Sequence, residues 1–190
     1  MNVTKKGILL HLLLGALVCF CACVPGKGRE DQPYAWLTDS SKYRLLPPKD
    51  IEHPLDGYQM VSASYKGRDY SLNAWVKADA AGMNITIINE LGANMGELSY
   101  HRGAASFSSA VFSLPLKPEY IVADFQLCFY NAPALREALQ DCGLSLEDTG
   151  DSRRILQQKT VIIEIEKSRN AVKLINHLRG YAYTLEGDFE

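Results

Sequence analysis

The sequence predicts a mainly β domain: a curved antiparallel sheet of about nine strands, left unclosed as a half-barrel, with a helical insert at 118–142 over its concave face. Two observations carry this reading. After residue 57 most of the chain alternates apolar and polar residues with the two-residue period of half-buried strands, and turn residues recur roughly every 10 to 13 positions. Between Pro118 and Leu139 the alternation stops and apolar residues fall at helical spacing instead. Turns too short for helical crossovers exclude a parallel sheet.

The first segment stands outside that domain. Lys5 and Lys6 precede a run from Gly7 to Phe20 that is apolar except for His11. This layout assigns 1–22 to a secretory signal peptide. Ala22 stands before Cys23, and the polar, turn-rich run Val24 to Asp31 follows. The boundary resembles a bacterial lipobox, which implies that Cys23 is lipidated and becomes the mature N-terminus. Phe20 and Cys21 depart from the usual Leu and small residue of that motif. Release after ordinary cleavage and an uncleaved anchor are the alternatives. Val24 is not the aspartate of an inner-membrane retention signal, so the resemblance implies anchoring at the periplasmic face of the outer membrane. Residues 23–43, polar apart from Tyr34, Trp36 and Leu37, are expected to be a tether, and 44–190 a single domain.

Leu45-Leu46-Pro47-Pro48 enforces an extended lead into the domain. Tyr58 to Tyr65 reads as the first strand. Tyr70, Leu72, Ala74, Val76 and Ala78 then alternate with Ser71, Asn73, Trp75 and Lys77, the cleanest period-two run in the chain. Met83, Ile85 and Ile87, then Gly96, Leu98 and Tyr100, then Ala104 to Ser109 with Phe107 facing inward, continue an antiparallel meander. In the insert, Ile121, Val122, Phe125, Cys128 and Phe129 share one helix face behind Pro118, which suits a first turn. A second helix is expected with Asn131 as N-cap, Pro133 in its first turn, Leu135, Ala138, Leu139 and Cys142 on one face, and Gly143 as its left-handed stop. Short strands at Leu144 to Leu146 and Arg153 to Leu156 follow. Thr160 to Glu166, Ala171 to Asn176 and Tyr181 to Glu186 complete a second meander, with Val161, Ile163 and Ile165 on one face of their strand.

Charge and chemistry exclude several functions. The chain carries 20 basic and 22 acidic side chains; removing 1–22 takes Lys5 and Lys6 and no acid, which leaves −4. A mildly acidic surface without a basic stripe argues against nucleic acid. No nucleophile elbow, phosphate-cradling loop or helical His pair is present, so the expectation is a protein that is not an enzyme and needs no cofactor or metal. His53, His101 and His177 are isolated surface residues, and Glu164 and Glu166 share a strand face read as solvent-facing. Asp124, inside the apolar helix, is expected to bond a neighbouring loop or face water. Cys128 and Cys142 are the cysteines of the body. A disulfide across the insert is open to them in an oxidising compartment, but the apolar setting of Cys128 favours two unbridged thiols.

The remaining signal is apolar. Tyr58, Leu72, Ile85, Ile87, Phe107, Leu174 and Tyr183 are placed on one sheet face, with Phe125, Phe129 and Leu135 facing them from the insert. They make either an ordinary core or the lining of a cavity for an acyl or polyene chain. Sheltering a methylene is worth ~0.8 kcal/mol, so a ~16-carbon chain needs roughly 13 kcal/mol of cover, which an enclosed groove supplies and a shallow patch does not.

Several landmarks together resemble a bacterial lipoprotein family of unknown function associated with aryl-polyene and fatty-acid-type biosynthesis genes. They are Arg44 to Pro48, Gly57 with Gln59, Ala123-Asp124-Phe125-Gln126-Leu127, Arg153 to Leu156, Val172 to Asn176, and Gly180-Tyr181. Phe129 to Pro133 departs from the Trp-Pro usual there. The order of meander, helices and meander is also similar to the lipoprotein carriers and receptors LolA and LolB. That resemblance implies a lipid-anchored binder that takes an acyl, lipoprotein or aryl-polyene-lipid ligand, with a periplasmic carrier protein as a further partner. The rivals are a non-enzymatic scaffold docking proteins through an outer face bearing Trp75, Ile88 and Ile162, and a pathway esterase or thioesterase.

Overall fold

Consecutive hairpins build the sheet, and they do so because each strand's apolar residues fall at one parity. The computed structural model describes residues 32–111 and 117–189. The segment read as a signal peptide, Cys23 and the start of the expected tether lie outside the described residues. The first meander runs through β3 (Leu55–Tyr65), β4 (Arg68–Asp79), β5 (Gly82–Ile88), β6 (Asn94–His101) and β7 (Ala104–Ser108). The second runs through β8 (Ser145–Asp148), β9 (Ser152–Gln157), β10 (Thr160–Lys167), β11 (Ala171–Asn176) and β12 (Tyr181–Gly187). The two meanders join where β12 pairs antiparallel with β3, from Tyr181 opposite Tyr65 to Gly187 opposite Gln59. The result is one ten-stranded antiparallel sheet in the order β7-β6-β5-β4-β3-β12-β11-β10-β9-β8. It does not close, since β7 and β8 are its edges, and the expected half-barrel is thereby observed with ten strands rather than nine.

The insert between the edges folds as the apolar spacing requires. Helix α1 (Pro118–Phe129) has Pro118 in its first turn, where a missing N–H leaves nothing unpaired. Helix α2 (Ala132–Asp141) is capped by Asn131, whose Oδ1 accepts from the Ala134 N–H at 3.0 Å. Gly143 ends it at φ +79°, a conformation that costs glycine no Cβ clash. Leu135 and Leu139 are fully buried, and α2 packs them toward β8 and the N-terminal hairpin. Cys128 and Cys142 are both free thiols. Burial pushes the Cys128 pKa up to about 12, so at neutral pH it is an inert, protonated core group.

The tether reading fails over its second half. Tyr34–Trp36 (β1) and Lys42–Arg44 (β2) pair as a hairpin outside the main sheet. Its odd-numbered residues Ala35, Leu37, Tyr43 and Leu45 are buried. Four apolar side chains on one face of a hairpin form a core contribution that a solvated tether would waste. The folded body therefore begins before Arg44. Residues 32–190 form a compact unit, and the whole cluster of buried apolar residues, from Ala35 to Leu174, lies inside it. The unit thus carries its own core and is of ordinary single-domain size.

One strand face also differs from expectation. The β9–β10 register shifts between Val161 and Ile163. Beside that bulge both Ile162 and Ile163 are buried, because an extra residue breaks the strict alternation of sides. Ile162 is accordingly not an outer-face residue. Trp75 is half-exposed, with its indole N–H donating to Asp56 Oδ1 at 3.0 Å.

Two buried polar side chains hold α1 in place. Gln126 is fully buried. Its Oε1 accepts from Tyr43 Oη at 3.1 Å and the Leu46 N–H at 2.9 Å, while its Nε2 donates to the Leu46 carbonyl at 2.8 Å. Arg153, 2% exposed, donates through Nη1 to the carbonyls of Leu127, Cys128 and Tyr130 at 3.1, 3.1 and 2.7 Å. These are the orphan carbonyls of the α1 C-terminus. Its Nη2 reaches Glu52 Oε2 at 3.0 Å and its Nε reaches Asp148 Oδ2 at 2.6 Å. Burial alone would raise the Asp148 pKa, but the Gly150 N–H and the Arg153 guanidinium outweigh it and the net shift is downward.

Replacing Arg153 with Met should cost about 3–5 kcal/mol of unfolding free energy, because three helix-end carbonyls and the Asp148 carboxylate lose their donor. Gln126→Met should cost about 2–4 kcal/mol by orphaning Tyr43 Oη and the Leu46 backbone. Urea unfolding midpoints measure both, and losses under about 1 kcal/mol would contradict this anchoring.

Candidate functional site: an apolar cavity beneath helix α1

The inner face of β3, β4, β5 and β12 does not meet α1 in full contact. A cavity of about 360 Å³ lies between them, within the range of small-molecule sites. Strand β3 contributes Leu55, Gln59, Val61 and Ala63; β4 contributes Leu72, Ala74 and Val76; β5 contributes Ile85 and Ile87. Tyr183 and Leu185 of β12, the C-terminal Phe189, and Ile121, Asp124, Phe125 and Phe129 of α1 complete the lining. The gap persists because the wall alternates long and short side chains. Across the centre Gln59 pairs with Ala74 on one side and Gly187 on the other, and neither partner can reach α1. The aromatic roof is self-supporting: Phe125 and Phe129 have ring centroids 4.7 Å apart, and Phe189 stacks on Phe129 at 5.6 Å, offset geometries that aromatic quadrupoles favour.

Six residues named from sequence line this cavity: Leu72, Ile85, Ile87, Phe125, Phe129 and Tyr183. The other four lie elsewhere. Tyr58 sits on the outer face, 49% exposed opposite Trp75, because the inward parity of β3 belongs to Leu55, Gln59 and Val61. Leu135 and Leu174 are fully buried core residues away from the lining. Phe107 packs against Gly96 at the β7 edge, its Cζ 3.2 Å from where a Cβ of that glycine would stand.

Sequence reasoning overlooked Phe189 and the two polar members, Gln59 and Asp124, as lining. Asp124 is half-buried, and its side-chain partner is a strand residue rather than a loop. Tyr181 Oη on β12 donates to its Oδ2 at 2.7 Å, and Asn176 Nδ2 donates to the same Tyr181 oxygen at 3.2 Å. Burial raises the Asp124 pKa to about 7, against the opposing pull of the Tyr181 hydrogen bond and the Arg179 charge. Tyr183 Oη lies 3.9 Å from Cys128 Sγ. Gln59 is 2% exposed, and its Oε1 is without a hydrogen-bond partner, the single such buried side-chain atom among the described residues. A buried unpaired acceptor costs about 1–3 kcal/mol. The signal for Asp124 was present in the sequence, as an acid within an apolar helix; Gln59 carried none, because apolar residues occur at both parities of β3.

The site holds no metal-ligating group of three or more His, Cys, Asp or Glu among the described residues. Nor is any described helix long and apolar enough to cross a membrane. What the arrangement can do is shelter an apolar ligand and offer it polar contact at Asp124.

The raised Asp124 pKa sets a pH dependence. The folded state favours the protonated acid over its unfolded value of 3.8, so its contribution to stability is complete below about pH 4 and lost as pH rises through about 7. Between pH 5 and 8 the wild type should lose on the order of 1–3 kcal/mol relative to Asp124→Asn, whose amide still accepts from Tyr181. Parallel denaturation curves for the two proteins at both pH values measure it; identical pH slopes would contradict the buried-acid assignment.

The comparisons with known proteins agree with this geometry in extent. No curated protein is similar enough to match the chain. A family model described as a protein of unknown function, DUF3261, matches residues 57–187, the span from β3 to β12 that builds both meanders and the helical insert. The chain belongs to that family.

Proposed function

We propose that this protein is a lipid-anchored, periplasm-facing binding protein that accepts or transfers an acyl, lipoprotein or aryl-polyene-lipid ligand at the outer membrane. The observation that carries the reading is the hollow interior: an apolar cavity of about 360 Å³ beneath α1, where an ordinary core would be filled. An unfilled apolar void of this size forfeits dispersion contacts along its lining, a loss that an apolar occupant reverses. Burying each methylene there contributes about 0.8 kcal/mol. The signal-like start of the chain and the lipobox-like residues before Cys23 support the anchor. The similarity in strand and helix order to LolA and LolB supports the class of ligand. The scaffold alternative is weakened by the burial of Ile162, one of its three outer-face anchors.

Purified 32–190 unit should bind cis-parinaric acid, a fluorescent polyene chain, with saturable enhancement. Ala63→Phe, which places a ring in the lining, should weaken that binding at least about tenfold while a cooperative melting transition is retained. Absence of saturable binding, or binding indifferent to Ala63→Phe, would count against a chain-binding cavity. In a bacterial host, metabolic labelling with an alkyne fatty acid should mark the full chain and not Cys23→Ser; equal labelling of the two would remove the anchor from the reading.

A further inference from the structure

The β1–β2 hairpin gives one face to the core and leaves the other uncovered. Ala35, Leu37, Tyr43 and Leu45 are buried, so the opposite parity, with Tyr34, Trp36 and Lys42, faces out. Tyr34 and Trp36 are 39% and 38% exposed, and their rings meet edge to face at 5.9 Å. Lys42 Nζ stands 3.9 Å over the Tyr34 ring. The turn between β11 and β12 extends this patch. Leu178 there is 53% exposed. Beside it, Arg179 donates through Nη2 to the Trp36 carbonyl, and its guanidinium lies 4.7 Å over the Tyr120 ring of α1. Lys117 approaches the same ring at 5.9 Å. Lys42, Lys117 and Arg179 make no ion pair among the described residues, and neither do the neighbouring acids Asp39 and Glu119. Exposed aromatics and cations without a carboxylate partner thus share one surface, on a chain whose overall charge is −2.

Resting on the anchored reading above, we propose that this surface seats the domain on an anionic lipid bilayer. Tyr34, Trp36 and Leu178 enter the headgroup level, and Lys42, Lys117 and Arg179 meet the lipid phosphates. Tyrosine and tryptophan favour that depth because one end of each ring system is apolar and the other forms hydrogen bonds. Each Lys or Arg held at an anionic surface adds to the attraction. The position of the hairpin in the chain argues for the same occupant. It is the described element nearest to Cys23, and the eleven residues from Cys23 to Tyr34 span at most about 40 Å. An anchored chain therefore keeps this face close to the bilayer. The other exposed aromatic pair, Tyr58 and Trp75, lacks this chemistry. The Trp75 indole donates to Asp56, which also pairs with Lys77 at 3.2 Å, so that patch carries its own carboxylate. Seating through Tyr120 also brings Ile121, a lining residue of the cavity, toward the lipid.

The test uses the 32–190 unit, which lacks Cys23, so that no anchor contributes. The chain has two tryptophans, Trp36 and Trp75, so Trp75→Phe and Trp36→Phe each leave one fluorescent reporter. Vesicles of phosphatidylcholine with about a quarter phosphatidylglycerol are compared with phosphatidylcholine alone. On the anionic vesicles the emission of Trp36 should shift to the blue and be quenched by brominated acyl chains, while that of Trp75 stays unchanged. Partition should be at least about tenfold stronger on the anionic vesicles, and Lys42→Gln should lower it about fivefold. An unmoved Trp36 emission, equal partition on the two vesicles, or partition indifferent to Lys42→Gln would overturn the docking surface. Fatty-acid labelling at Cys23 would then still stand as the separate test of the anchor. A concentration-dependent shift of Trp36 emission without vesicles would overturn it too, in favour of contact between two copies of this chain. Docking by the unit when Cys23 proves unlabelled would support the surface and remove only the anchor.

Discussion

The structure depends on the buried Arg153 guanidinium. Helix α1 ends inside the protein, where its last carbonyls have no water to bond, and a single side chain from β9 supplies donors to three of them. The same group pairs with Asp148 at the sheet's edge hairpin and with Glu52 ahead of β3. It thereby ties together the insert, the second meander and the approach to the first. Gln126 does the corresponding work one turn earlier, joining α1 to Tyr43 and Leu46. Because these polar anchors fix the helix by hydrogen bonds of set length, α1 is not free to settle onto the apolar wall beneath it. A helix held only by its hydrophobic face would move inward until the gap closed.

The wall completes that arrangement. Ala63, Ala74 and Gly187 are the short residues at its centre, and the long ones, Leu72, Ile85, Ile87 and Leu185, stand around them. The void is thus the joint result of a helix pinned from its flanks and a strand pair that cannot reach it. The lining includes an acid with its pKa raised to about 7 by burial and a glutamine whose amide oxygen is buried without a partner. Both are costly in an apolar setting. Their presence together in one cavity is what distinguishes it from a packing defect.

Much of the fold was legible because its periods are strong. The alternation from Leu72 to Ala78, the Asn131 cap and the Gly143 stop each follow from local chemistry, and each is found where that chemistry puts it. The sequence was less informative where apolar residues occur at both parities. In β3, Tyr58 and Met60 face one way and Leu55, Val61 and Ala63 the other, and only pairing with β4 and β12 decides which side is inward. The β1–β2 hairpin was hidden because its strands have three residues each, too few for a period to declare itself. The bulge at Val161–Ile163 is a tertiary adjustment with no local signature. The cavity itself could not be read from residue types, since a void is a statement about distances between elements.

The central claim is that α1 roofs an interior able to admit a chain. Methyl NMR of the isoleucine- and leucine-labelled 32–190 unit, titrated with dodecanol, tests it most directly. The account predicts shifts concentrated at Leu72, Ile85, Ile87, Ile121 and Leu185, with Ile155, Ile162 and Ile163 of the filled core unmoved. Shifts confined to the outer face, or none at saturating ligand, would contradict it.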